Sequence, residues 1–220
     1  MTEPSPLTPS FYTITLLRHA ESTGNSGGYF QGQQEYPLTQ TGLAQARALA
    51  DRWLAEGKSF DRIISSPLGR ARQTAEPVAK ALSLSIEFDA LWMERDYGLL
   101  SGLKPSEIDD RYLRPSFIHP YQPVGETGES RWTLYLRAGQ ALQALLAREP
   151  GRYLVVSHGG ILNMVMYAIL GIAPQANSQG ARFSFRNTAF AEALYDPARH
   201  TWLLDRLNDH QHWSEPEVEN

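Results

Sequence analysis

The chain has 220 residues, 42% of them hydrophobic and 20% charged, with a formal net charge of -4. That length and balance suit one globular domain with a sizeable core, and the negative charge argues against a surface that coats nucleic acid. No cysteine is present, which excludes disulfides, thiolate nucleophiles and cysteine-ligated zinc.

Residues 1–10 carry Pro4, Pro6 and Pro9 without an apolar core, and read as a flexible leader rather than a signal peptide. Residues 11–17 read as a buried strand, apolar or β-branched on both faces. A helix is expected over 41–55, with Leu43, Ala46, Ala50, Trp53 and Leu54 on one face, Thr39 or Thr41 as its cap and Gly57 as its terminator. A short strand over 62–65 leads into Ser66-Pro67, which reads as a capping serine followed by a proline at the first helical position. That helix runs on to Leu82 and is expected to kink at Pro77. Residues 84–88 are a third strand.

The stretch 99–123, rich in proline and aromatics, reads as a lid or insertion. A long amphipathic helix follows over 131–148, then a buried strand over 153–157 and an apolar helix over 160–170. Short strands are expected over 182–185, 190–195 and 202–207. Residues 209–220 read as a fraying acidic tail, in which His210 and His212 form an incidental His-x-His without further ligands. No apolar run approaches the ~18–20 residues of a membrane helix, so a cytoplasmic protein is expected. The order of elements predicts a three-layer α/β/α sandwich with a mostly parallel central sheet. One domain over 11–208 would carry a lid-like insertion at about 103–127.

Two strands end in the same way. One delivers Arg18-His19, the other His158-Gly159-Gly160 just before a helix. As parallel neighbours they would bring both histidines to the carboxyl edge of the sheet, where ligands bind in α/β folds. Gly159 and Gly160 would let the backbone approach closely and open a helix N-terminus, which favours an anion. Arg70 stands in the first turn of its own helix, where a cation opposes the helix dipole, and a nearby anion would resolve that conflict. Two arginines and two histidines match a phosphate dianion. With no metal motif, these groups must stabilise the transferring phosphoryl group themselves, and one imidazole can act as nucleophile. The leaving alkoxide needs a proton, and Glu94 is the candidate acid, because a carboxyl group beside a phosphate dianion holds its proton better. Taken singly, each of these residues has an ordinary structural role; their joint placement argues for a site.

The segment Leu17-Arg18-His19-Ala20-Glu21-Ser22, with Asn25, resembles the signature of the histidine phosphatase superfamily, the phosphoglycerate mutase-like fold. Residues 65–75, Glu94-Arg95-Asp96-Tyr97-Gly98, Gly128-Glu129-Ser130 and Val156-Ser157-His158-Gly159-Gly160 resemble its later blocks. The resemblance implies that His19 forms a phosphohistidine, that Arg18, Arg70 and His158 hold the phosphoryl oxygens, and that Glu94 is the proton donor. Asn25, Arg95, Tyr97 and Gly159 become candidate substrate-binding residues. It implies no metal and no cofactor, 2,3-bisphosphoglycerate excepted if the protein is a mutase.

Within that family, Arg95 and Tyr97 look mutase-like. However, Lys104 comes one residue before the position of the mutase lysine, and the insertion has only isolated Arg111 and Arg114 in place of a paired-arginine segment. Charge-assisted contacts are worth about 1.5–3 kcal/mol each, so their loss favours a phosphatase of small phosphate monoesters over a mutase. An inactive phosphate-binding scaffold is a weaker alternative, since no catalytic candidate is missing. A serine hydrolase is not supported, because the chain has no Gly-x-Ser-x-Gly elbow. The expected partner is a small phosphate ester, with no nucleic acid and no membrane; an oligomer is not indicated.

Overall fold

The computed structural model describes residues 10–113 and 116–214. The leader over 1–9, Arg114 and the tail over 215–220 lie outside the described residues. Six strands form one sheet: β1 (Tyr12–Arg18), β2 (Arg62–Ser65), β3 (Ile86–Phe88), β4 (Arg152–Ser157), β5 (Phe190–Asp196) and β6 (Thr201–Asp209), in the spatial order β3-β2-β4-β1-β5-β6. The pairings β3-β2, β2-β4 and β4-β1 are parallel, whereas β1-β5 and β5-β6 are antiparallel. The helices are α1 (Thr23–Ser26), α2 (Gln40–Ala55), α3 (Gly69–Leu82), α4 (Asp110–Leu113), α5 (Arg131–Leu146) and α6 (Gly159–Leu170).

The central strands are apolar on both faces, so each face needs a cover. Ile14, Leu16, Tyr153 and Val155 enter one core with Leu134, Ala138, Ile161 and Val165 of α5 and α6. Their alternates Leu17, Ile63, Leu154 and Val156 enter the other with Leu49, Trp53, Ala71 and Val78 of α2 and α3. The period of two along each strand thus produces the three-layer sandwich.

Thr39 caps α2, its hydroxyl accepting from the Gly42 N–H at 3.0 Å. The start of α3 corrects the Ser66-Pro67 expectation: the helix begins at Gly69, with Leu68 at the cap position. The Ser66 hydroxyl is engaged by the His158 ring, and the Gly69 N–H is satisfied by Glu35 from another loop at 2.9 Å. Pro77 lies inside α3, which is continuous from Gly69 to Leu82.

The strand expected over 182–185 does not form. A side-chain amide takes the place of a ladder there: Asn163 donates to the Phe183 carbonyl and accepts from the Phe183 N–H, both at 2.9 Å. The chain after Leu207 is also better held than a fraying tail would be. Arg52 grips Asp209 with two bonds at 2.6 and 3.0 Å, and the His212 ring meets the Thr188 hydroxyl at 2.9 Å. His210 instead faces Arg186 at 3.0 Å, so the two imidazoles serve separate contacts. Among the described residues no helix is long and apolar enough to cross a membrane, and no group of three or more His, Asp or Glu could hold a metal ion. The insertion is irregular as expected, with one 3-10 turn at Pro105–Glu107 and the single turn α4.

Candidate active site

β1 and β4 are parallel neighbours with Arg18 opposite Ser157, so the residues that follow, His19 and His158, emerge side by side. Their rings lie 5.0 Å apart, centre to centre, and are 3% and 0% exposed. His19 Nδ1 donates to the Ala20 carbonyl at 2.7 Å, which leaves the Nε2 lone pair free. Burial, reinforced by Arg18 and Arg70, holds the His19 imidazole well below its ordinary range, so it is neutral at pH 7. His158 is fixed in the opposite tautomer. Its Nδ1 accepts from Arg70 Nε at 3.2 Å and its Nε2–H points at the Ser66 hydroxyl at 2.8 Å. Burial, followed by Arg70, His19 and Arg18, keeps it neutral as well.

Arg70 is 1% exposed, and its guanidinium donates to the carbonyls of Gly32 at 2.7 Å and Gln34 at 2.8 Å. These carbonyls supply part of the compensation expected from an anion. Arg18 donates through Nη1 to the Phe185 carbonyl at 2.6 Å, and its buried Nε has no partner. Arg18, His19, Arg70, Glu94 and Tyr97 close around a recess of about 180 Å³, which Asn25 also lines. The Asn25 amide oxygen accepts from the Ser22 N–H at 3.0 Å, completing a capping box on α1, and from Asn187 Nδ2 at 3.3 Å.

The N-terminus of α6 does attract an anion, but the protein's own. Glu94 accepts from the N–H groups of Gly160 at 3.0 Å, Ile161 at 3.2 Å and Arg95 at 2.8 Å. A Cβ on Gly160 would collide with that carboxylate, which explains the glycine. Gly159 lies beside Arg18 on the cleft wall. Arg95 donates to the Glu129 carbonyl at 2.9 Å and stands 5.5 Å from the Tyr97 ring centre. Burial lowers the Arg95 guanidinium and pushes the Tyr97 phenol up to about 12, so Tyr97 offers a donor.

Sequence reasoning missed several residues. Asn187 donates to the His19 carbonyl at 2.9 Å. Arg137 of α5 binds Glu129 at 2.7 and 2.8 Å and donates to the carbonyls of Leu91, Met93 and Glu94 at 2.8, 2.7 and 3.1 Å. Neither residue sits in a glycine-bearing or strand-end motif, so nothing in the linear chain marks it. A cleft of about 540 Å³ opens from the recess, lined by Arg18, Glu94, Arg95, Tyr97, Arg131 and Arg182. Two of these cations, Arg131 and Arg182, come from outside the insertion. Lys104 stands over the Tyr29 ring at 4.9 Å.

The sequence profile of the histidine phosphatase superfamily (branch 1) matches residues 14–210. The Salmonella choleraesuis protein named probable phosphoglycerate mutase GpmB is 31% identical over 213 residues, covering 94% of this chain and 97% of that protein. Bacillus stearothermophilus YhfR superposes with a TM-score of 0.80 at 26% identity, over 91% of this chain and 98% of that one. Entamoeba histolytica phosphoserine phosphatase, solved with 3-phosphoglyceric acid, gives 0.76 at 26% identity over the same shares.

Proposed function

Since the chain belongs to the histidine phosphatase superfamily, we propose that it is a phosphatase of small phosphate monoesters that works through a phosphohistidine on His19. The observation that carries this reading is the neutral His19 ring, its Nε2 free, in a recess shared with Arg18 and Arg70. In the first step Nε2 forms a bond to phosphorus while the ester P–O bond breaks. The electron pair goes to the leaving oxygen, and Glu94, which takes up a proton as the phosphoryl dianion binds beside it, supplies that proton. In the second step water attacks the phosphohistidine, Glu94 takes its proton, and His19 and inorganic phosphate are released. Arg18 and Arg70 stabilise the equatorial oxygens, while His158, its Nε2–H on the Ser66 hydroxyl, orients Arg70 from behind the recess; this reading needs no metal or organic cofactor.

A second reading, a 2,3-bisphosphoglycerate-dependent mutase, is favoured by the names of the curated relatives and by Arg95 and Tyr97 on the cleft wall. Against it, Lys104 is engaged with Tyr29, and Phe117, on the wall of the pocket that adjoins the cleft, is 53% exposed, which supports a site open to water.

The test is an assay in EDTA with 3-phosphoglycerate, a trace of 2,3-bisphosphoglycerate and a panel of phosphate monoesters, following inorganic phosphate and 2-phosphoglycerate. Phosphate without isomer is expected, and its release should vanish in a folded His19→Ala variant. Faster formation of 2-phosphoglycerate than of phosphate would establish the mutase instead.

A further inference from the structure

We propose that Arg131 and Arg182 form a second anion site, which selects phosphate monoesters whose leaving group carries its own anionic group beside a ring or other apolar part. The inference rests on the phosphatase reading above and names the substrate class of that site.

Charge is the first argument. The residues lining the large cleft include four guanidiniums, those of Arg18, Arg95, Arg131 and Arg182, but only one carboxylate, that of Glu94. A phosphoryl dianion held at the Arg18 end, with Arg70 behind it, leaves Arg131 and Arg182 uncompensated. No carboxylate among the described residues pairs with either. The Nε of Arg131 is buried without a partner, and its charge disfavours that of neighbouring Arg95. A bound anion supplies the acceptor that this buried Nε–H lacks.

Position is the second argument. Arg131 is the first residue of α5, directly after the capping Ser130, where a cation opposes the helix dipole. Arg182 is exposed, but its loop is fixed on both sides. Asn163 clasps Phe183, and Arg18 donates to Phe185 at 2.6 Å. The chain thus holds two arginines at one wall where neither serves its own element.

Size is the third. Beyond Arg95, Tyr97 and Arg131 the cleft joins a further pocket of about 290 Å³ walled by Tyr112, Phe117, Ile118 and His119. Such combined space matches a leaving group larger than a three-carbon acid, and its aromatic wall suits a ring.

The experiment compares 4-carboxyphenyl phosphate with phenyl phosphate, matched in ring and reacting bond. The wild-type enzyme is expected to prefer the carboxylated ester in kcat/KM by about tenfold or more, as one charge-assisted contact supplies. Arg131→Gln and Arg182→Gln should each shrink that ratio. Equal rates on the two esters, or a ratio untouched in both variants, overturns the proposal. Binding of the same esters to the His19→Ala protein by calorimetry separates the two readings. A binding preference without turnover by the wild-type enzyme would sink the phosphatase and keep the subsite; turnover of both esters with no preference would do the reverse.

Discussion

Asn187 supports the His19 backbone from behind. Its amide donates to the His19 carbonyl and reaches the Asn25 oxygen, so it ties the residue after β1 to α1, whose Asn25 lines the recess. Replacing it with alanine leaves that carbonyl without its side-chain donor and lets the His19 backbone shift. The expected result is a kcat lowered by about tenfold, the worth of one hydrogen bond at its upper range, with KM little changed, measured by steady-state phosphate release. Arg18, His19 and His158 were legible in the sequence because they follow β-branched or apolar strands, and strand ends are where α/β proteins place chemistry. Glu94 was legible as the acid a leaving alkoxide needs, but not its hold on the start of α6, which depends on residues far apart in the chain. Asn187 was not, because its role depends on β5 lying beside β1, a pairing between residues far apart in the chain.

Among the elements, α5 does more than cover a face of the sheet. Through Arg137 it binds three backbone carbonyls, those of Leu91, Met93 and Glu94, and locks Glu129 in place, so the segment bearing Glu94 is set by a helix rather than by its own loop. Arg137→Met removes one partner of a pair in which both side chains are 15% exposed. A loss of about 3–5 kcal/mol of stability is expected, read by urea unfolding, together with reduced turnover from a displaced Glu94. The helices of this fold were readable from apolar spacing and from caps such as Thr39. The failures have a shared cause: Ser66 was engaged by His158 instead of its helix, and residues 182–185 were engaged by Asn163 instead of a neighbouring strand. Local signals describe what a residue can do for its own segment, and in both places a distant side chain took the role.

At the scale of the whole molecule, His19 and His158 couple the site to pH. Both are buried and neutral, with folded pKa values depressed below the unfolded value of about 6.5. The unfolded chain therefore binds more protons on acidification. Stability is fully present above that value and falls as pH drops beneath it, by about 1.4 kcal/mol per pH unit for each such histidine. His212, lowered to about 4 chiefly by burial, acts in the same direction. Urea unfolding between pH 7.5 and 5.0 should show this decline, and His212→Gln should make it shallower. A flat profile would show that these rings are hydrated in solution. The layered α/β class followed from the order of elements, but the place of β1 in the middle of the sheet did not, since no local pattern encodes which strands become neighbours.

That central place has a consequence for synthesis. β1 leaves the ribosome before both of its neighbours, β4, paired Thr13 to Arg152, and β5, paired Tyr12 to Tyr195. At roughly 5–20 residues per second, the strand that leads into His19 waits many seconds, both edges open, for partners not yet made. The place of His19 is fixed only when β5 and Asn187 have emerged, so a chain that stops short of them lacks both supports.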